Sequence, residues 1–85
     1  MNADSVAAFE KKLFDNNFIG ASKLSAEKEI LEFGYNFIST INSDGLNWDR
    51  YTIVCGRGLV EQRRFLQIGY DHSDIIRRII TDIPK

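Results

Sequence analysis

The sequence predicts a small α+β fold with the element order α-α-β-β-α, in which an antiparallel hairpin packs on helices. Apolar residues recur at helical spacing in the first half, alternate with polar residues after Trp48, and return to helical spacing after Tyr70. A chain of 85 residues with 44% hydrophobic content is the size of one domain with a thin core, so we expect residues 1–85 to form a single domain.

Two helices are expected before the hairpin. The first spans residues 5–16, where Val6 begins a broad apolar side. The second spans residues 26–42, begins after the capping residue Ser25, and has Gly34 at the centre of its apolar stripe. A glycine inside a helix costs about 1 kcal/mol relative to alanine. We therefore expect another backbone to approach closely at that position.

The hairpin is predicted from a change of period. Polar residues and a glycine at 42–45 indicate a turn, and alternation with β-branched and aromatic residues predicts a strand over residues 49–55. A second strand over residues 63–70 is expected to pair antiparallel with it. The Gly-Arg-Gly segment at 56–58 interrupts the pattern, and residues 59–66 fit a strand, a loop or a helix.

A final helix is expected to begin at Asp71 or Ser73 and to continue to about Asp82, before Pro84. Its apolar side consists of isoleucines at helical spacing. These are Ile75, Ile76, Ile79, Ile80 and Ile83. So many isoleucines on a short element predict burial, either on the sheet or in the interface of a homodimer.

The composition predicts a protein of the cytoplasm. Cys55 is the only cysteine, which excludes a disulfide within the chain and is typical of a reducing compartment. The first residues lack the pattern of a signal peptide. No apolar stretch approaches the roughly 18–20 residues that span a bilayer, so we expect no membrane association.

The residues that usually carry catalysis or bind metal are sparse. The only histidine, His72, is seventeen positions from Cys55, and a structural zinc site needs four nitrogen or sulfur ligands. A cysteine within a strand is more often a small buried apolar residue than a nucleophile. Gly56–Gly58 lacks the spacing of known phosphate-binding loops. We therefore predict neither a metal, nor a cofactor, nor enzymatic activity.

The arginines indicate where a partner would bind. All six arginines lie in residues 47–85, whereas every lysine except Lys85 lies in residues 1–46. The guanidinium group forms paired contacts with carboxylates and phosphates, and Trp, Tyr and Arg dominate binding hot spots. The predicted partner-binding residues are Trp48, Arg50, Tyr51, Arg57, Arg63 and Arg64.

Two functions are compatible with such a surface. The first is a small non-enzymatic protein-binding module that acts on a larger protein, as an inhibitor, an immunity or antitoxin-like factor, or a regulator. Near-zero net charge and the absence of catalytic groups favour it. The alternative is a nucleic-acid-binding regulator that uses the arginines of the C-terminal half, although a dedicated binder usually has a basic excess and this chain has a net charge of −1.

Overall fold

The fold consists of two helices followed by four strands, as described by a computed structural model for residues 2–57 and 60–82. The helices are α1 (Ala3–Asp15) and α2 (Lys23–Phe33), and the strands are β1 (Asn36–Ser43), β2 (Leu46–Arg57), β3 (Val60–Tyr70) and β4 (Ile76–Asp82). The strands form one sheet in the order β1-β2-β3-β4, and each neighbouring pair is antiparallel. The predicted order α-α-β-β-α is therefore wrong, although the α+β class is confirmed.

Helix α1 agrees with the helix predicted over residues 5–16, but it begins earlier. The Asn2 side chain accepts a hydrogen bond from the Ser5 amide at 2.8 Å, so Asn2 is the capping residue. Val6 and Leu13 lie on the buried side of the helix. Their burial against the sheet fixes which side of α1 faces the core.

The helix predicted over residues 26–42 is wrong beyond Phe33. Gly34 has a φ of 128°, a conformation that only glycine adopts readily, and it forms the C-terminal cap of α2. At the other end, the Ser22 hydroxyl caps α2 by accepting from the Leu24 amide at 3.3 Å. The glycine therefore ends a helix, and close approach of a second backbone is not needed to explain it.

Strand β1 occupies the second part of the predicted helix. Its sequence is rich in β-branched residues, which lose side-chain freedom in helices and pack well in sheets. The strand pairs with β2, with a bulge between Phe37 and Ser39. Asp44 and Gly45, with φ of 55° and 77°, form the predicted turn, but it joins two strands rather than a helix and a strand.

The predicted hairpin is confirmed and is longer than expected. Strands β2 and β3 pair without interruption from Asn47 with Tyr70 to Arg57 with Val60. Gly56 and Arg57 continue β2, and the ambiguous segment is a strand from Val60 onward. Gly58, the last residue of the predicted interruption, and Leu59, the first residue of the ambiguous segment, lie outside the described residues.

The predicted final helix is wrong, because residues 76–82 form β4 and pair with β3. A pattern of isoleucine pairs separated by two arginines suits one side of a helix, but the β-branched residues also suit a strand with an available edge to pair with. The loop before α2 pairs with the start of β4: the Gly20 amide donates to the Ile76 carbonyl at 2.7 Å, and the Ile76 amide donates to the Ala21 carbonyl at 2.8 Å. Ile83 lies outside the described residues.

The core lies between the two helices and one face of the sheet. Its buried residues come from both helices, from the connection between α2 and β1, and from β2, β3 and β4. They are Val6, Phe9, Leu13, Ala26, Ile30, Tyr35, Tyr51, Ile53, Cys55, Leu66, Ile68 and Ile76. Within the described residues, no helix covers the opposite face of the sheet, which we call the uncovered face.

Candidate functional site

Alternation along β2 and β3 divides their side chains between the two faces of the sheet. Tyr51, Ile53 and Cys55 belong to the core, so the even-numbered residues of β2 point to the uncovered face. Cross-strand pairing extends the assignment, because directly opposite residues share a face. Arg63 pairs with Val54, and Arg78 pairs with Gly69, so both arginines lie on the uncovered face.

The uncovered face combines three arginines and one described glutamate, Glu61, with apolar and neutral polar residues. Its members include Ser39 and Ile41 of β1, Trp48, Arg50, Thr52 and Val54 of β2, Glu61, Arg63, Phe65 and Gln67 of β3, and Arg78 and Ile80 of β4. Of the predicted partner-binding residues, it brings together Trp48, Arg50 and Arg63, and it adds Arg78, which had been considered only for the nucleic-acid alternative.

The three arginines are spread over the uncovered face. Arg50 and Arg78 lie two strands apart in the sheet and two residues apart along the strand direction, so their backbones are separated by about 12 Å. Arg63 pairs with Val54, four residues along β2 from Arg50, which is about 14 Å. In the described part of the chain, no ion pair engages any of the three. They therefore suit an extended surface better than a single pocket.

Trp48 lies flat against the sheet on the uncovered face and is buried there. Its indole Nε1 donates to the Ser43 carbonyl at 3.1 Å. Its ring lies over Gly69, since a Cβ at that position would be 2.9 Å from the ring carbon Cζ3. The residue is only 6% exposed, so its ring face is not free to stack on a ligand. Trp48 therefore anchors the uncovered face rather than projecting from it.

Tyr51 and Arg64 lie on the covered face, away from the other predicted residues. Tyr51 is 1% exposed, its ring meets the Phe37 ring edge-on, and burial together with the Glu27 carboxylate raises its pKa. Arg64 extends toward α1, where its Nη2 donates to Glu10 Oε1. The backbone of Arg57 ends β2, and its side chain lies outside the described part of the structure.

The Arg64–Glu10 ion pair on the covered face is largely buried on both sides. Burial raises the pKa of Glu10, and Arg64 counteracts this only in part. Glu10 Oε2, Arg64 Nε and the Tyr35 hydroxyl are all buried without a hydrogen-bond partner in residues 2–57 and 60–82. Burial and the nearby Glu10 carboxylate also raise the pKa of Tyr35. Buried polar groups without partners lower the stability of the folded state, and removing one partner of the Arg64–Glu10 pair would lower it further.

A second polar cluster on the covered face was missed by the sequence analysis. The Asp49 carboxylate is buried and accepts from Thr40 at 2.6 Å and from the Tyr70 hydroxyl at 3.0 Å. Lys23 Nζ donates to Tyr70 at 3.3 Å and lies 3.7 Å from Asp49. The available signal was that Asp49 has the same strand parity as the core residue Tyr51.

The described residues offer no metal centre. No group of three or more His, Cys, Asp or Glu side chains that could hold a metal ion occurs in residues 2–57 and 60–82. Cys55 is buried in the core, whereas His72 is exposed in the turn before β4.

The helices border a shallow groove of about 230 Å³ that Phe9 and Phe33 line together with Lys12, Glu29 and Glu32. None of the described helices is long and apolar enough to cross a membrane.

Comparison with known proteins gives no family assignment. No protein-family model matches this chain, and searches of curated proteins and of solved structures likewise found no match.

Proposed function

We propose that this chain is a small non-enzymatic protein-binding module that contacts an acidic surface of a larger protein through its uncovered face. The observation that carries the proposal is the division of the sheet. The helices cover one face, and the other presents Arg50, Arg63 and Arg78 without ion pairs to described residues. Inhibition or regulation of that larger protein would follow from occupying its surface.

The chemistry of the uncovered face supports a protein partner. Arginines spaced by about 12–20 Å on the sheet match several separate carboxylates better than one phosphate group. Ile41, Ile80 and Val54 supply exposed apolar area between and beside them. Binding interfaces combine such apolar area with arginine anchors.

Nucleic acid is the second candidate, because the same arginines also suit a phosphate backbone. Single-stranded nucleic acids are usually held by aromatic rings that stack on bases. Trp48 is buried against Gly69 and cannot offer its ring face without rearranging, which leaves Phe65 as the aromatic residue of the uncovered face. This observation places nucleic acid second.

Affinity capture from a lysate of the native cell tests the proposal. The bait carrying Arg50→Ala and Arg63→Ala is compared with the wild type and with a matched control carrying Lys11→Ala and Lys28→Ala, which removes two exposed charges from the helices. We expect the wild type and the control to capture one protein in an amount equal to the bait, and we expect this capture to persist after nuclease treatment. The arginine variant should no longer capture that protein.

Two results would contradict the proposal. One is recovery of no stoichiometric protein by the wild type. The other is equal recovery by the arginine variant, with both variants folded by circular dichroism. A nucleic acid recovered in place of a protein, with affinity that falls steeply as salt rises, would support the second candidate instead.

A further inference from the structure

Strand β1 is an exposed edge of the sheet. It pairs with β2 on one side, and no strand of the described residues pairs with its other side. Every residue of β1 except Ser39 is exposed. An edge of this kind presents unpaired amides and carbonyls that another strand can pair with.

The two edges of the sheet differ in how they are protected. The opposite edge strand, β4, carries Arg77 and Arg78, and the loop at residues 20–23 pairs with its start. Strand β1 has no charged residue, and it exposes the large apolar side chains Phe37, Ile38 and Ile41. Natural edge strands usually carry charges or bulges that block pairing. The bulge of β1 lies between Phe37 and Ser39, which leaves residues 39–43 regular.

We propose that β1 is the interface of a homodimer, in which it pairs antiparallel with β1 of a second copy. The neutrality of the strand argues for a second copy rather than a different partner. In a two-fold antiparallel pairing the residues near the axis lie next to their own copies, so a self-pairing strand must avoid charge there, whereas a strand that binds a different chain has no such restriction. Asn36–Ser43 satisfies this condition.

The symmetry of the pairing fixes the arrangement of the dimer. A two-fold axis that relates neighbouring antiparallel strands runs perpendicular to the sheet. Both helix layers therefore lie on one side of a continuous eight-stranded sheet, and both uncovered faces lie on the other. With the axis near Thr40 and Ile41, the exposed Ile41 side chains of the two copies approach each other. The dimer thus covers apolar surface that the single chain leaves in water.

Sedimentation velocity tests the proposal directly, with no need for the partner discussed above. Protein is analysed from about 1 µM to about 1 mM, a range that includes weak and strong dimers. The wild type is expected to reach twice the chain mass within it. Ile41→Lys places like charges together across the axis and is expected to remain monomeric.

Ile80→Lys is the matched control, because Ile80 is 38% exposed and Ile41 is 43% exposed, on the same face of the sheet but on opposite edge strands. It is expected to dimerise like the wild type. A wild type that is monomeric throughout the range would overturn the proposal, and so would an Ile41→Lys variant that dimerises as well as Ile80→Lys. Loss of the dimer in both variants would assign the interface to another surface.

A second variant tests the same interface in case Ile41→Lys does not fold. Ile41→Cys places a thiol near the axis, while the native Cys55 is buried and free. Mild oxidation is expected to give a covalent dimer whose formation is at least tenfold faster than that of an Ile80→Cys control. Equal rates for the two variants would contradict pairing through β1.

Discussion

Arg63 and Arg64 are neighbours in the sequence, yet they belong to different regions of the molecule. Arg63 points from the uncovered face into solvent, and Arg64 points toward α1 and pairs with Glu10. Their side chains diverge because successive residues of a strand face opposite sides of a sheet. The arginines of this hairpin therefore differ in role: Arg64 on the covered face holds α1, and Arg50 and Arg63 on the uncovered face are available to a partner.

The largest expected difference between the two regions is in stability. Arg64→Ala leaves the buried Glu10 carboxylate without its counterion, and we expect the free energy of unfolding to fall by about 3 kcal/mol. Arg63→Ala removes an exposed side chain and should change it by less than about 0.5 kcal/mol. Urea unfolding of both variants measures this contrast. Equal losses would show that the two arginines do not differ in role.

On the uncovered face, the Trp48 ring packs closely against Gly69. Gly69→Ala would place a methyl group 2.9 Å from the indole ring, and displacing the ring would disturb the hydrogen bond from Trp48 to Ser43. We expect a loss of about 2 kcal/mol by thermal unfolding. In a Trp48→Leu background, the same substitution should cost much less. An equal cost in both backgrounds would assign the effect of Gly69 to its backbone.

On the covered face, the buried residues Tyr35 and Tyr70 differ in whether the hydroxyl group has a hydrogen-bond partner. The Tyr70 hydroxyl donates to Asp49 and accepts from Lys23, whereas the Tyr35 hydroxyl has no partner among the described residues. Tyr70→Phe should lower the free energy of unfolding by about 1 kcal/mol, and Tyr35→Phe should leave it unchanged or raise it slightly. Calorimetry of both variants decides. The reverse order of stability would mean that the polar cluster around Asp49 is not structural.

The smallest expected effect is a pH dependence that originates at Glu10. Burial raises the pKa of this carboxyl in the folded state, so the folded chain binds the proton more tightly than the unfolded chain does. The contribution of Glu10 to stability is therefore greatest below the unfolded pKa of about 4.3 and is lost as pH rises through the folded pKa. Melting temperatures of the wild type should fall relative to Glu10→Gln as pH increases from this region. A relative rise would mean that Arg64 outweighs burial.

The sequence predicts the fold where one pattern has one interpretation. The apolar side of α1 and the alternation around Tyr51 and Ile53 were sufficient for a helix and for the β2–β3 hairpin. Two segments were misread because isoleucines at 75–80 and apolar residues at 36–41 fit a helical stripe and a strand equally well. Pairing with β3 and β2 decided both in favour of a strand, and such long-range pairing is not visible in a local pattern.

The candidate site was predictable to the same limited degree. Alternation within β2 was enough to separate Arg50 from Tyr51, although both were grouped in one predicted surface. The orientation of Arg63 and Arg64 depends on the register between β2 and β3, and a shift of one residue would exchange them. Arg78 was assigned to the polar side of a helix, so its position on the sheet beside Gly69 could not be predicted. Register is therefore the information that the sequence analysis lacked.

Arginine-selective labelling of the native protein tests the division between the two faces most directly. The protein is treated briefly with phenylglyoxal, unfolded and digested, and the modification of each arginine is measured by mass spectrometry. We expect rapid modification of Arg63 and protection of Arg64, with both reacting alike after unfolding in urea. Equal modification of Arg63 and Arg64 in the native protein would show that the buried pair with Glu10 does not exist in solution, and that the two faces do not differ as described.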